Sequence, residues 1–388
     1  MQDPLDVDRA LDVAQAHVRT LIEDHPGRVP TCTHGGHWQF DADSWAPVWT
    51  SGFLAGELWI FAERTGDPTW RAAAERYSEH LEHRKLDAGT HDIGFLFSPS
   101  WGRWHQVDPS PRNAAVLISA GRTMAARFNP HGRYLSTWVH AGSTFIDIMM
   151  NLDIIFQAAQ LSGDAGLSEI AFQHALTTRR FLVRGDATTV HEGWFDPATG
   201  EFLRAATHQG YRSDSCWARG LAWGLYGFGS AYRNTHDERF LTTARSLART
   251  YIERTGDAYI PPNDWDDPHP AQPYESSAAC IAASGLLQLA ELIPEQAATY
   301  AQYAAGVLST LAGPGFLAPP DGEWEGIIRH AIYHPGNNLG VDESVMWGDY
   351  YFVEALWRLA TSPQLRAAAG PTLVDRAGPP RSAAVADA

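Results

Sequence analysis

The chain has 388 residues, 44% hydrophobic and only 19% charged, the makeup of a globular protein with a large core. A net charge of −16, with Lys85 its only lysine, excludes a nucleic-acid partner, which needs a basic surface to neutralise phosphates. Three cysteines (Cys32, Cys216, Cys280) do not suit a disulfide scaffold, no run approaches a membrane span, and no basic start precedes an apolar stretch. The expected location is therefore the cytoplasm.

Helical periodicity dominates from the first segment onward. Leu5–Asp24 reads as an amphipathic helix. After it one unit recurs, a Gly/Ala/aromatic-rich helix followed across a polar turn by a more charged one. The pairs are Val48–Arg64 with Thr69–Arg84, Ile93–Trp104 with Asn113–Phe128, and Ile146–Leu161 with Leu167–Leu182. Trp217–Arg233 with Arg239–Arg254 and Ser276–Leu292 with Glu295–Leu311 continue the series. A sixth inner helix, Val345–Leu359, has no clear partner after it, and the N-terminal helix can close the ring in its place. With apolar members inside and charged members outside, the pattern predicts an all-α fold, an (α/α)6 toroid. One catalytic domain over residues 1–366 is expected, with the Ala/Pro/Gly-rich stretch 367–388 as a disordered tail.

In such a ring the loops entering the inner helices converge on one face. Trp49, His91, Asp92, Asp147, Trp217, Arg219, Glu275, Trp347 and Asp349 all fall there. Asp147 opens an otherwise apolar segment, Phe145-Ile146-Asp147-Ile148-Met149-Met150-Asn151-Leu152. It fits either a helix cap or a functional acid, because a buried carboxylate must be paired, hydrogen-bonded or protonated. Asp92, after His91, has the same two readings one repeat earlier. Two acids at equivalent places, brought together, would raise each other's proton affinity, which is what acid/base work on a sugar requires. Trp217, Arg219 and Trp223 combine flat apolar faces with a guanidinium suited to a carboxylate, or are simply core. Cys216 has no nearby base to make it a nucleophile. Cys32-Thr33-His34-Gly35-Gly36-His37 lacks the matching motif a zinc site needs, and no phosphate-binding glycine motif occurs.

Taken together these segments resemble the unsaturated glucuronyl hydrolases of glycoside hydrolase family 88, from Trp49 to Leu356. The similarity is carried by Trp49-Thr50-Ser51-Gly52-Phe53, His91-Asp92-Ile93-Gly94-Phe95 and Ile146-Asp147-Ile148-Met149-Met150-Asn151-Leu152. Ala206-Thr207-His208-Gln209-Gly210, Trp217-Ala218-Arg219-Gly220, Ser276-Ser277-Ala278-Ala279 and Trp347-Gly348-Asp349-Tyr350-Tyr351 follow in order. The resemblance implies removal of a non-reducing-end 4,5-unsaturated uronic acid from lyase-made oligosaccharides, with no metal or cofactor and no membrane partner. Asp147 would protonate C4 of the double bond and activate the water that adds at C5. Asp92 would assist it by holding substrate hydroxyls and tuning its pKa, and His91 would bind substrate. Trp49, Trp138, Trp217 and Trp223 would be stacking walls, and His191, Gln209, Arg219 and Tyr333 would line the uronate subsite.

Departures from the family pattern are Glu275, where an aspartate is common, and Phe53-Leu54 in place of Phe-Trp. The stretch from Tyr333 to Ser344 has no lysine or arginine, which implies a preference for unsulfated or weakly sulfated fragments. The rivals are an unsaturated rhamnogalacturonyl hydrolase, an N-acylglucosamine 2-epimerase-like isomerase and a non-catalytic sugar-binding toroid.

Overall fold

Helices dominate the computed structural model, which describes residues 4–40, 47–270, 272 and 274–374. The helices are α1 Val7–Asp24, α2 Pro47–Thr65, α3 Pro68–His80, α4 Ile93–Phe97, α5 Arg103–Val107 and α6 Pro111–Ala125. They continue with α7 Ile148–Asn151, α8 Asp153–Ser162, α9 Ala165–Phe181, α10 Ala218–Thr235 and α11 Glu238–Thr255. The last are α12 Ser276–Leu292, α13 Ala297–Leu311, α14 Met346–Thr361 and α15 Pro363–Ala369.

Six of them form a closed inner ring, each touching the next in the order α2, α4, α7, α10, α12, α14 and back to α2. These are the small-residue helices. Every residue from Gly52 to Phe61, from Ala218 to Ala231, and from Ser276 to Ala290 is buried, so they are apolar all round rather than striped. Helices α3, α6, α9, α11 and α13 lie outside and bury one stripe each; α11, for example, buries Phe240, Ala244, Leu247 and Tyr251. The N-terminal helix α1 packs on α14 and α2 as the missing outer member, which completes the (α/α)6 toroid. No helix among the described residues is long and apolar enough to cross a membrane.

The turns between partners have a repeated chemistry. Inner helices α2 and α10, and α8, which continues inner helix α7, are each followed by a residue at positive φ (Gly66 at 67°, Gly163 at 71°, His236 at 55°) and then by an aspartate. Asp67, Asp164 and Asp237 each accept a hydrogen bond from an amide of the outer helix they start. Left-handed stop and aspartate cap together set the hairpin.

Three expectations need correction. The predicted inner helix Ile93–Trp104 is interrupted by a π turn over Ser98–Gly102, because Pro99 cannot donate to the ladder. Residues 146–161 are likewise divided between α7 and α8. The boundary at Arg366 falls inside α15: Ala369 is fully buried, and Leu5 pairs with Leu373 through Leu5 N–H to Thr372 O (2.8 Å) and Val374 N–H to Leu5 O (2.9 Å). The body thus runs to Val374, and the rest of the expected tail, 375–388, lies outside the described residues.

Short antiparallel strands fill the connections on the site face. They are β1 Thr33–His34 with β2 His37–Trp38, β3 Phe128–Asn129 with β4 Tyr134–Leu135, and β8 Ala331–His334 with β9 Leu339–Glu343. A three-stranded sheet joins β5 Ser143–Phe145, β6 Glu192–Phe195 and β7 Phe202–Ala206. In its register Phe145, Glu192 and Ala206 sit side by side.

Candidate active site

Asp92 and Asp147 occupy the N-cap positions of α4 and α7, yet neither side chain makes a cap hydrogen bond. The cap reading of both residues is therefore wrong. One of the two amides that Asp92 could cap, Phe95 N–H, donates instead to Asn151 Oδ1 at 2.9 Å. Asn151 is fully buried, and its Nδ2 donates to Asp147 O at 3.3 Å, tying the two acid-bearing turns together. The approach is close enough that a Cβ on Gly94 would lie 2.5 Å from Asn151 Cα. With both carboxyls free of capping duty, an oxygen of each and a ring nitrogen of His91 lie within 4.8 Å of one another.

Asp147 Oδ1 is buried with no hydrogen-bond partner. Burial first, and the charge of Asp92 second, hold its proton affinity well above the usual carboxyl range; nearby amides and Arg219 oppose this only in part. Asp92 accepts from Thr90 Oγ1 at 3.0 Å and lies 3.5 Å from His91 Nε2. His91 Nδ1 accepts from Trp138 N–H at 3.4 Å, and burial keeps the ring neutral. A carboxyl of raised proton affinity, poised against a second carboxyl, can deliver its proton to a weakly basic carbon. Among the described residues these three are also the one group of metal-ligand types close enough to share a cation.

The acids open into a cavity of about 260 Å³. All eleven residues singled out in the sequence line it: Trp49, His91, Asp92, Trp138, Asp147, His191, Gln209, Trp217, Arg219, Trp223 and Tyr333. They do not contribute alike. Trp138 is 51% exposed and offers an open face, whereas Trp217 and Trp223 are 3% and 2% exposed. Trp217 packs on His191 (4.4 Å between ring centroids) and under the Arg219 guanidinium (4.6 Å). It stiffens the wall rather than stacking freely on a ligand. Trp49 donates from Nε1 to Tyr333 Oη at 2.9 Å.

Arg219 is engaged by the protein itself. Its Nη1 donates to Ile332 O (2.5 Å) and lies 3.4 Å from Glu275 Oε1, while Nη2 donates to Gln209 Oε1 and to Tyr333 O (2.7 Å). With its terminal N–H groups so placed, Arg219 anchors β8 and Gln209 and lends a positive potential. Glu275, Trp347 and Asp349, expected at the site face, stand behind the cavity. Glu275 caps α12 through Ala278 N–H (2.6 Å), Trp347 bonds Ser277 Oγ (3.0 Å), and Asp349 holds the amides of Ile327 and Ile328. Cys216 is fully buried, and burial pushes its thiol up to about 12, which removes it as a nucleophile.

Five lining residues escaped the sequence: Val139, Phe145, His208, His334 and Asn337. Four histidines thus face the cavity, and burial keeps His91, His191 and His334 below the ordinary imidazole range. His208 is the exception. Its Nε2 lies 2.9 Å from Glu192 Oε2, and this bond raises its proton affinity against a smaller effect of burial. Glu192 is only 1% exposed and accepts from Ser143 Oγ at 2.5 Å; burial pushes its carboxyl up, but its hydrogen-bond donors outweigh that and hold it low. The His208 side chain that this pair places at the wall is 44% exposed.

A toroid of helix hairpins with a protonated acid beside a second carboxyl, under aromatic walls, defines a glycoside hydrolase. The sequence profile of Glycosyl Hydrolase Family 88 matches residues 18–323, and the chain belongs to that family. It is 35% identical over 324 residues to an unsaturated glucuronyl hydrolase of Bacillus sp. (strain GL1), covering 80% of this chain and 86% of the relative. An unsaturated chondroitin disaccharide hydrolase of Streptococcus pyogenes serotype M1 is 28% identical over 375 residues, 91% of each chain. The crystal structure of the unsaturated glucuronyl hydrolase from Bacillus sp. GL1, responsible for the degradation of glycosaminoglycan, superimposes with a TM-score of 0.87. It is 31% identical to this chain, over 95% of this chain and 99% of that one.

Proposed function

We propose that this chain removes the non-reducing-end 4,5-unsaturated glucuronyl residue from lyase-generated oligosaccharides, of the glycosaminoglycan disaccharide type, by hydrating the C4=C5 double bond. The observation that carries it is Asp147 Oδ1, buried, unpartnered and within 4.8 Å of the Asp92 carboxyl and the His91 ring. Asp147 gives its proton to C4 and then, as a carboxylate, takes one from the water that adds at C5. The hemiketal so formed opens and rearranges, releasing the neighbouring sugar. Burial first, and the charge of Asp92 second, favour the protonated form of Asp147. Trp138, at the open mouth, stacks on the ring that follows the uronate.

The uronate carboxylate finds its cation in His208, since Arg219 is held by protein acceptors and the other cavity histidines are neutral. The β8–β9 hairpin offers the cavity His334 and Asn337 and no lysine or arginine, which supports a preference for unsulfated or weakly sulfated sugars after the uronate. The names of the relatives favour the glucuronyl reaction over rhamnogalacturonyl hydrolysis or epimerisation. A cytoplasmic enzyme acting as one catalytic domain, without a metal or cofactor, fits this chemistry.

The test is a continuous ultraviolet assay with unsaturated chondroitin and hyaluronan disaccharides, in which hydration abolishes absorbance. Wild type is expected to bleach the substrate and Asp147→Asn to leave it. Absence of bleaching by wild type on these and on rhamnogalacturonan fragments would remove the proposal.

A further inference from the structure

Helix α4 begins on an aspartate in the cap position, and its third amide, Phe95 N–H, is one of the two to which such a side chain can bond. Asp92 does not go there, because that amide already donates to Asn151 Oδ1, contributed by α7 of the next hairpin. The same Asn151 side chain fixes the carbonyl of Asp147 through Nδ2. One fully buried amide therefore replaces the local cap of the first acid and holds the backbone of the second.

We infer that Asn151 is a positioning residue of the hydrolysis, a cap supplied from the neighbouring hairpin that releases Asp92 to face Asp147. The inference rests on the acid roles given above and adds the reason why Asp92 is available for one. Without the Asn151 acceptor, Phe95 N–H is a buried, unsatisfied donor less than one helical turn from Asp92. The Asp92 carboxylate then swings to it, the third amide being one of the two that a cap side chain reaches; Asp67, Asp164 and Asp237 cap their own helices in the same way through the second amide. Asp147 loses the neighbouring charge that supports its proton. The charged or titratable groups that face Asp147 are Asp92 and His91 from the turn before α4 and Arg219 from α10. With Asp92 turned away, His91 and Arg219 remain, and neither favours protonation of a carboxyl.

The experiment is the pH profile of kcat/KM in Asn151→Ala and Asn151→Asp, alone and combined with Asp92→Asn. Asn151→Ala is expected to move the alkaline limb to lower pH by roughly one unit and to lower kcat, with KM less affected. Asn151→Asp keeps an acceptor for Phe95 N–H and is expected to leave the limb in place or move it upward. In the Asp92→Asn background, Asn151→Ala should move the limb no further. A limb moved downward by both substitutions, or moved equally by Asn151→Ala with and without Asp92, overturns the inference and leaves Asn151 a packing residue. Thermal melts of each variant show that the folded protein is what is compared, and Asn151→Asp, nearly isosteric, serves if Asn151→Ala does not fold. An inactive wild type would be a failure of the proposed reaction instead.

Discussion

The outer and inner rings of the toroid start helices with the same residue type in the same position and use it in opposite ways. At α3 and α11 the cap aspartates Asp67 and Asp237 bond amides of their own helix, and both carboxyls lie below the usual range, Asp67 chiefly through the amide of Thr69 and Asp237 chiefly through the Arg239 guanidinium, with its amide adding to it. At α7 the aspartate in the cap position makes no such bond, is buried, and is held well above that range. The outer aspartates define hairpins. The inner ones are set free by a borrowed cap and by close helix packing, at a cost in local stability that the surrounding ring absorbs. Helix-capping chemistry alone does not separate the two groups; what separates them is which ring the helix joins.

The largest test of this contrast is activity. Asp147→Asn should lower turnover by roughly 10³-fold, the scale of a lost general acid. Asp164→Asn, the equivalent exchange at the start of outer helix α9, should leave turnover unchanged in the same absorbance assay. Comparable losses in both would mean that the two rings do not divide structure from chemistry.

The contrast also bounds what the sequence reveals. The hairpins are legible because a 3.6-residue period over 15 to 18 residues and the repeated Gly-Asp or His-Asp turns agree with each other. Eight of the eleven candidate residues lie in or beside such helices or in motifs of fixed order, Trp138, His191 and Tyr333 follow from the family resemblance alone, and the chain brings all of them to one cavity. His208 was present in one of those motifs but not singled out. Its charge depends on Glu192, which stands on the adjacent strand of a sheet whose strands are three to five residues long. Strands that short leave no period to read, so cross-strand neighbours are invisible. Arg219 shows the converse: its place in the wall was legible, but its engagement with Ile332 and Tyr333, more than a hundred residues away, was not.

A second, smaller effect sharpens the role of that sheet. The raised affinity of His208 means that it is charged below its folded pKa and neutral above it. Substrate affinity should therefore be strongest at mildly acidic pH, with KM rising as pH passes upward through that value. His208→Gln should raise KM by roughly tenfold at low pH, as expected for a lost charge-assisted hydrogen bond, and flatten its pH dependence. Glu192→Gln should shift the rise in KM to lower pH. An unaltered KM profile in His208→Gln would return carboxylate recognition to Arg219.

The smallest effect is on stability, and there the two rings should differ in sign. A carboxyl raised in the fold binds a proton that the unfolded chain, with an ordinary value near ~3.9, has already released. The native state is then progressively penalised as pH climbs from that value through the raised one. Removing the group relieves the penalty, so Asp147→Asn should melt at or above the wild-type temperature at neutral pH, and its advantage should fade on acidification. Asp237 has the reverse linkage: its lowered carboxyl contributes stability above the unfolded value, lost as pH falls through the folded one. Asp237→Ala also removes the bond to Arg239 N–H (3.0 Å) and should cost about 1 kcal/mol at neutral pH. Thermal melts of both variants between mildly acidic and neutral pH measure this directly. If Asp147→Asn is destabilised as Asp237→Ala is, the inner aspartate is a cap after all, and the division between the rings is lost.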